Sequence, residues 1–359
     1  MRALGAAALV GATFVGCSHS RAPANADTAN IDRARAAARQ FLANYVAPDG
    51  RVVRHDQGDD TVSEGQSYAL VLAQVAGDNM TFDRVWNWTA AHLSRPDELL
   101  AAHATNSGTV DDHNAATDAD IVTAWALLRD IGPNADEHHD LGRRIANSVL
   151  EHETLALADG TLVLAAGNWA TGSPGTLNPS YWAVPVLSEL GRLTGDTRWN
   201  DLAVTSTRLV AALTQNGTRL PPDWARVDGS AVTATPAPDG KSPDVRYSFD
   251  AQRAVVWFAM GDHQAATPLA GAWAGLLSDE SRGRAAALKP DGTIIDGNAH
   301  PTPLIAAAAA AAAAGRPDDR DHLISAAETL SNAQPTYYGD AWVALGRALL
   351  TTDLLTAGK

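Results

Sequence analysis

The sequence predicts an all-α protein, a closed double ring of six helical hairpins. From Ile31 onward apolar residues recur at helical spacing through twelve segments, with hardly any of the alternation that a half-buried strand requires. Alternate segments differ in kind. Residues 116–128, 181–190 and 304–314 are apolar almost all round, whereas their neighbours carry a charged face. Helices apolar on every side belong inside and one-faced helices outside. Six of each, in alternation, close into a ring of αα-hairpins.

Taken along the chain, the first outer segment is 31–46. The first inner one, 63–78, opens on Ser63-Glu64-Gly65-Gln66, which has a capping-box form with Ser63 as N-cap. After outer segment 81–95, inner segment 117–131 repeats that form in Thr117-Asp118-Ala119-Asp120. Outer segment 136–153 carries Glu137-His138-His139-Asp140, read as a charged outer face because adjacent helical residues point apart and make poor metal partners. Inner segment 178–192 starts with Asn178 as cap and Pro179 at the first helical position. Outer 196–215 leads to inner 248–261, which opens on Ser248-Phe249-Asp250, and then to outer 262–276. Inner 301–314 contains the alanine run Ala306–Ala314, suited to close packing between neighbours, and 317–332 and 337–355 complete the set. Trp125, Trp257 and Trp342 fall within helices and read as core.

In such a ring all inner helices start at one rim. Glu64, Asp118 and Asp250 therefore converge on one opening, although each alone would be an ordinary acidic residue at a helix N-terminus. Three carboxylates at one apolar-walled mouth repel one another and point to a chemical task. Glycoside hydrolysis needs two, one holding a proton for the leaving oxygen and one activating a water. The positive end of a helix disfavours a protonated acid, so the first role demands burial and a neighbouring anion, for which Asp118 is the candidate.

Composition narrows the field further. The 359 residues are 45% apolar, enough for one large core or two ordinary ones. The 27 Lys and Arg against 41 Asp and Glu give a formal charge of −14, which excludes nucleic acid as a partner. Ten Trp against five Phe and six Tyr favour flat faces on which sugar rings stack. No glycine-rich phosphate loop precedes a helix, and no serine sits in a nucleophile elbow. At the N-terminus, Arg2 and the apolar run Leu4–Val15 form an export signal ending in Phe14-Val15-Gly16-Cys17. That ending resembles a bacterial lipobox with Cys17 as the lipidated residue; an ordinary secretory signal is the alternative. Cys17 is the sole cysteine, so no internal disulfide forms. The expected organisation is a signal over 1–17, a flexible tether over 18–30 and one catalytic domain over 31–359.

The run Gly50-Arg51-Val52-Val53, followed by Thr61-Val62-Ser63-Glu64-Gly65-Gln66-Ser67-Tyr68, resembles the amino-terminal signature of glycoside hydrolase family 8, the bacterial endoglucanases. Ala116-Thr117-Asp118-Ala119-Asp120 resembles the second signature. Residues 82–93 with Trp86 and Trp88, Asn178-Pro179-Ser180-Tyr181, Pro222-Asp223-Trp224, Arg246–Arg253 and Tyr337-Tyr338 are similar as well. The resemblance implies an (α/α)6 barrel that cuts within β-1,4-linked glucan with inversion and needs no metal or organic cofactor. By position it implies Glu64 as general acid, Asp250 as general base and Asp118 as the carboxylate that orients the sugar. Tyr181 and Arg253 are expected near the water and the bound ring, and Tyr68 and Asp120 in substrate binding. Trp169, in Gly167-Asn168-Trp169, is expected to offer a ring to the cleft, with a core place as the alternative. The implied partner is a β-1,4-linked polysaccharide; the membrane is met only through the lipid anchor, and a monomer is expected.

Two departures stand out. Ala69-Leu70 occupies a place where the family often has Gly-Met, and residues 104–112 lack the Trp-Gly commonly found there, which removes one stacking platform. The same fold acting on chitosan or a xylan-type oligosaccharide remains open, as does a glucan-binding envelope lipoprotein without turnover. The loop around His55-Asp56 and Asp59-Asp60 reads as a solvated charged turn.

Overall fold

The structure is a computed structural model that describes residues 24–260, 269, 271–272, 274–275 and 279–356. The expected export signal, Cys17 and most of the helix expected over 262–276 lie outside the described residues.

Helix α1 runs Ala24–Tyr45, starting within the expected tether because its alanine-rich sequence favours helix. The hairpins follow in the expected order: α2 (Ser63–Ala76) with α3 (Asn79–His92), α4 (Thr117–Leu128) with α5 (Ala135–His152), and α6 (Val184–Thr194) with α7 (Arg198–Leu213). Then come α8 (Phe249–Ala259), the short α9 (Glu280–Arg284), α10 (Pro301–Ala313), α11 (Pro317–Ala333) and α12 (Tyr337–Thr351). The expected segment 178–192 is broken: Pro179–Tyr181 form a 3₁₀ turn, and the helix resumes at Val184.

Helices α2, α4, α6, α8, α10 and α12 each pack on the next, and α12 returns to α2, so the inner ring closes as an (α/α)6 barrel. Outer helices α1, α3, α5, α7 and α11 lie against it. Trp125 meets Trp257 edge-on at 6.5 Å, Trp257 meets Trp342 at 5.7 Å, and all three are buried, as expected of core residues. The alanine run of α10 lets its neighbours close in: a Cβ on Gly346 of α12 would fall 2.4 Å from Ile305.

Sequence periodicity missed the strands. They are short, β1 (Thr61–Val62), β2 (His103–Ala104), β3 (Val110–Asp112), β4 (Thr154–Ala156), β5 (Leu162–Leu164), β6 (Gly175–Leu177), β7 (Trp224–Asp228), β8 (Ala231–Thr235), β9 (Ala285–Leu288) and β10 (Ile294–Ala299). They form antiparallel sheets ordered β1-β2-β3, β4-β5, β6-β7-β8 and β10-β9. Every described strand lies in a loop that enters an inner helix, so the site rim is built of loops braced by sheet.

One local expectation needs correction. His138 is buried rather than outward: it pairs with Asp130 Oδ2 at 2.8 Å while His139 reaches the Asp130 carbonyl, and together they tie the α4–α5 turn. The 55–60 loop is solvated as expected, with residues 55–59 exposed, and it is also pinned: Asp60 takes both arms of Arg54 at 2.7 Å and His103 at 2.9 Å, and Asp56 accepts the Tyr337 N–H. Among the described residues no group of His, Cys, Asp and Glu is arranged to hold a metal ion, and no helix is long and apolar enough to cross a membrane.

Candidate active site

The two expected capping boxes do not form. The N-cap positions fall one residue earlier, on Val62 and Ala116, and neither helix start receives a side-chain cap. Ser63 is buried, with its N–H donated to the Ala102 carbonyl. Gln66 turns outward from the axis: its Oε1 accepts the Val52 N–H at 2.6 Å and its Nε2 donates to Thr89, so it staples the Gly50–Val53 run to α3. Glu64 is left facing the opening. Glycine follows it because a Cβ on Gly65 would fall 2.8 Å from the Tyr337 hydroxyl, which donates to Glu64 Oε1 at 3.4 Å.

On α4, Asp118 and Asp120 diverge, as residues two apart on a helix must. Asp118 turns to the opening. Asp120 is fully buried and accepts the Leu100 N–H at 2.8 Å, so it anchors the loop under the rim and does not line the cleft as expected.

The centre is Arg253, one turn along α8 from Asp250 and 1% exposed. Its Nη1 contacts Glu64 Oε2 and Asp118 Oδ2, the latter at 2.9 Å, and its Nη2 donates to Asp250 Oδ1 at 3.0 Å. Nε donates to Ser180 Oγ at 3.0 Å, and Nη1 also donates to the Tyr68 hydroxyl at 2.8 Å. The guanidinium lies over the Tyr181 ring, 5.1 Å from its centroid. Four segments, three inner helices and one turn, therefore meet on one cation. Glu64 and Asp118 share one side of the fork, and Asp250 takes the other. Tyr68 is buried beneath it, edge-on to Trp342 at 5.5 Å, and holds the arginine instead of reaching substrate as expected.

Burial sets the protonation. It raises the Asp118 carboxyl to about 7; Arg253 opposes the rise, while Glu64 and Asp250 add to it. Burial likewise holds Asp120 and Glu153, packed behind Asp118, well above the usual carboxylate range. The hydroxyls of Tyr68, Tyr181, Tyr337 and Tyr338 are all raised by burial and stay protonated.

Residues 16–343 match the family profile described as Glycosyl hydrolases family 8. The chain belongs to this family. It is 32% identical over 234 residues to a probable endoglucanase of Novacetimonas hansenii, covering 61% of this chain and 64% of that protein. An endoglucanase of Cellulomonas uda is 29% identical over 240 residues, 65% of each. The chain thus spans under two thirds of the length of these curated relatives. Among solved structures, an endo-β-1,4-glucanase from Acetobacter xylinum superposes with a TM-score of 0.72 at 27% identity, over 89% of this chain and 99% of that one.

In this family 8 chain the sequence brought out the acids on helices and Arg253 among them, but not every residue that holds this group. Ser180, Tyr337 and Asp223 sat unassigned within the similar islands. Their one signal was company: each adjoins a quoted aromatic or proline, in a loop entering an inner helix or, for Tyr337, at the start of one. Trp169, at 42% exposure on the 3₁₀ turn Asn168–Ala170, is not a core residue; its Nε1 donates to the Ala115 carbonyl, beside the start of α4.

Proposed function

We propose that the protein is an inverting, endo-acting hydrolase of β-1,4-glucan, with Glu64 as general acid, Asp250 as general base and Asp118 orienting the sugar at the point of cleavage. The observation that carries this reading is the shared contact of Glu64, Asp118 and Asp250 with the buried Arg253. One guanidinium cannot neutralise three carboxylates, so a proton is retained among them in a site of low polarity, as an acid catalyst requires. Glu64 delivers a proton to the glycosidic oxygen as the bond to the anomeric carbon breaks. Asp250 takes one from a water that attacks the opposite face. Tyr181, beneath Arg253, walls the water's side, and Trp169 offers an exposed face to a sugar ring.

The test is reducing-sugar release from carboxymethylcellulose, cello-oligosaccharides and chitosan, with the product anomer followed by NMR, for wild type, Glu64→Gln and Asp250→Asn. Cleavage of the glucans with inversion, abolished in both variants, supports the assignment. Binding of glucan without release overturns it in favour of a binding protein, and release from chitosan alone moves the substrate class.

The N-terminal run supports export and lipidation at Cys17. Palmitate labelling in the host should mark wild type and leave Cys17→Ala unmarked; equal labelling of both removes the anchor.

A further inference from the structure

Asp223 lies in Pro222-Asp223-Trp224 on the loop from α7 to α8, and the proposed reaction does not use it. It is buried, yet both of its oxygens are occupied. Oδ1 accepts the N–H of Ser248 at 2.7 Å and of Ala251 at 2.9 Å, and Oδ2 accepts the Ser248 hydroxyl. These donors bracket Phe249 and Asp250. From the other side of the same turn, the Tyr338 hydroxyl donates to the Phe249 carbonyl at 2.8 Å. Ser248 stands at the N-cap position of α8 but makes no side-chain cap of its own; the aspartate 25 residues earlier does so for it.

We infer that Asp223 is a positioning residue for the base: it clamps the first turn of α8 so that the Asp250 carboxylate holds its line to the attacking water. This rests on the reading of Asp250 as general base. The Asp250 side chain has one ion pair, to Arg253, and is 30% exposed, so its backbone is what fixes its aim. Burial and the Asp250 charge push the Asp223 carboxyl up to about 7, against the pull of Ser248 and Ala251. Protonation leaves the clamp closed, because the two N–H bonds on Oδ1 persist and a protonated Oδ2 can donate to Ser248 Oγ.

Asp223→Ala and Asp223→Asn separate the possibilities, read as kcat and KM on cello-oligosaccharides with and without sodium azide. Azide is already an anionic nucleophile and needs no base. It attacks the anomeric carbon as the glycosidic bond breaks, the leaving oxygen takes its proton from Glu64, and an inverted glycosyl azide forms. Asp223→Ala should lose about 100-fold in kcat, the cost of a misplaced catalytic group, with KM within about twofold. Azide should restore much of that rate, as it should for Asp250→Asn and not for Glu64→Gln. Asp223→Asn should stay within a few-fold of wild type, since its Oδ1 keeps both N–H bonds and its Nδ2 can donate to Ser248. The inference is overturned if Asp223→Ala keeps wild-type kcat, or if its loss resists azide while Asp250→Asn responds. Failure of azide to restore Asp250→Asn sinks the base assignment itself, a separate result.

Discussion

The two rims of the barrel solve opposite problems. Where inner helices hand over to outer ones, the connections are brief: 77–78 between α2 and α3, 195–197 between α6 and α7, 314–316 between α10 and α11. Gly77 and Gly195 close their helices in the left-handed conformation, and Asp78 caps α3 by accepting the Thr81 N–H. Where outer helices hand over to inner ones, 334–336 before α12 is brief, but the loops 46–62, 93–116, 153–183 and 214–248 are long and carry sheet. There α2 and α4 begin uncapped, and Ser63 Oγ, Asp118 Oδ1 and Asp120 Oδ2 are buried without an intramolecular hydrogen-bond partner. Local rules close α2 and α6 at the first rim and are broken where α2 and α4 begin at the second, which is the pattern expected when stability is given up for a site.

Arg253→Met should break this contrast most severely. It strips the cation from Glu64, Asp118 and Asp250 together, with an expected activity loss of about 10³-fold and a stability loss of about 3–5 kcal/mol for uncompensated buried charge. The stability loss should shrink as pH falls and Asp118 protonates; a melting-temperature deficit independent of pH would mean that packing, not charge, is what the arginine supplies. Asp118→Asn should act in the opposite sense on stability. The Asp118 carboxyl is raised from its ordinary value to about 7, so its contribution is present at low pH and is lost as pH rises through 7. The asparagine variant should therefore melt a few degrees higher than wild type above pH 7, converge with it near pH 4, and lose about 100-fold in activity. Parallel melting curves across that range would show that Asp118 does not titrate as its burial implies.

The same division explains what was legible in the sequence. The ring could be read because alternation between all-round apolar and one-faced helices is a property of whole segments, and Ala306–Ala312 or Ile121–Leu128 state it plainly. Glu64, Asp118 and Asp250 could be read because each sits at a helix start, where the ring topology fixes its direction. Gln66 and Ser63 misled because a capping box is a local pattern, and here the Ala102 carbonyl takes the Ser63 N–H while the Val52 N–H occupies the Gln66 side-chain oxygen. Asp120 misled because a signature carries two acids, and only the helical phase decides which of them faces the opening. Asp223 was out of reach, since a cap supplied across 25 residues leaves no mark at the helix it closes.

Trp169→Ala tests whether the elaborated rim also binds substrate. Its ring is half-exposed beside the start of α4, and its loss should raise KM about fivefold with kcat little changed, since stacking that is equal in ground and transition states is uniform binding. An unchanged KM on cello-oligosaccharides of every length would make it a wall and not a subsite. The smallest effect belongs to the far rim. Asp78 accepts from the Thr81 N–H at 3.0 Å and from its hydroxyl at 2.7 Å, so Asp78→Ala should cost about 1 kcal/mol in urea unfolding, the ordinary value of an N-cap. Its kcat and KM should match wild type, because no charge or loop of the site reaches that turn. A loss of activity without a matching loss of stability would show that the far rim bears on the position of Glu64 through α2, and the division between the two ends would fail.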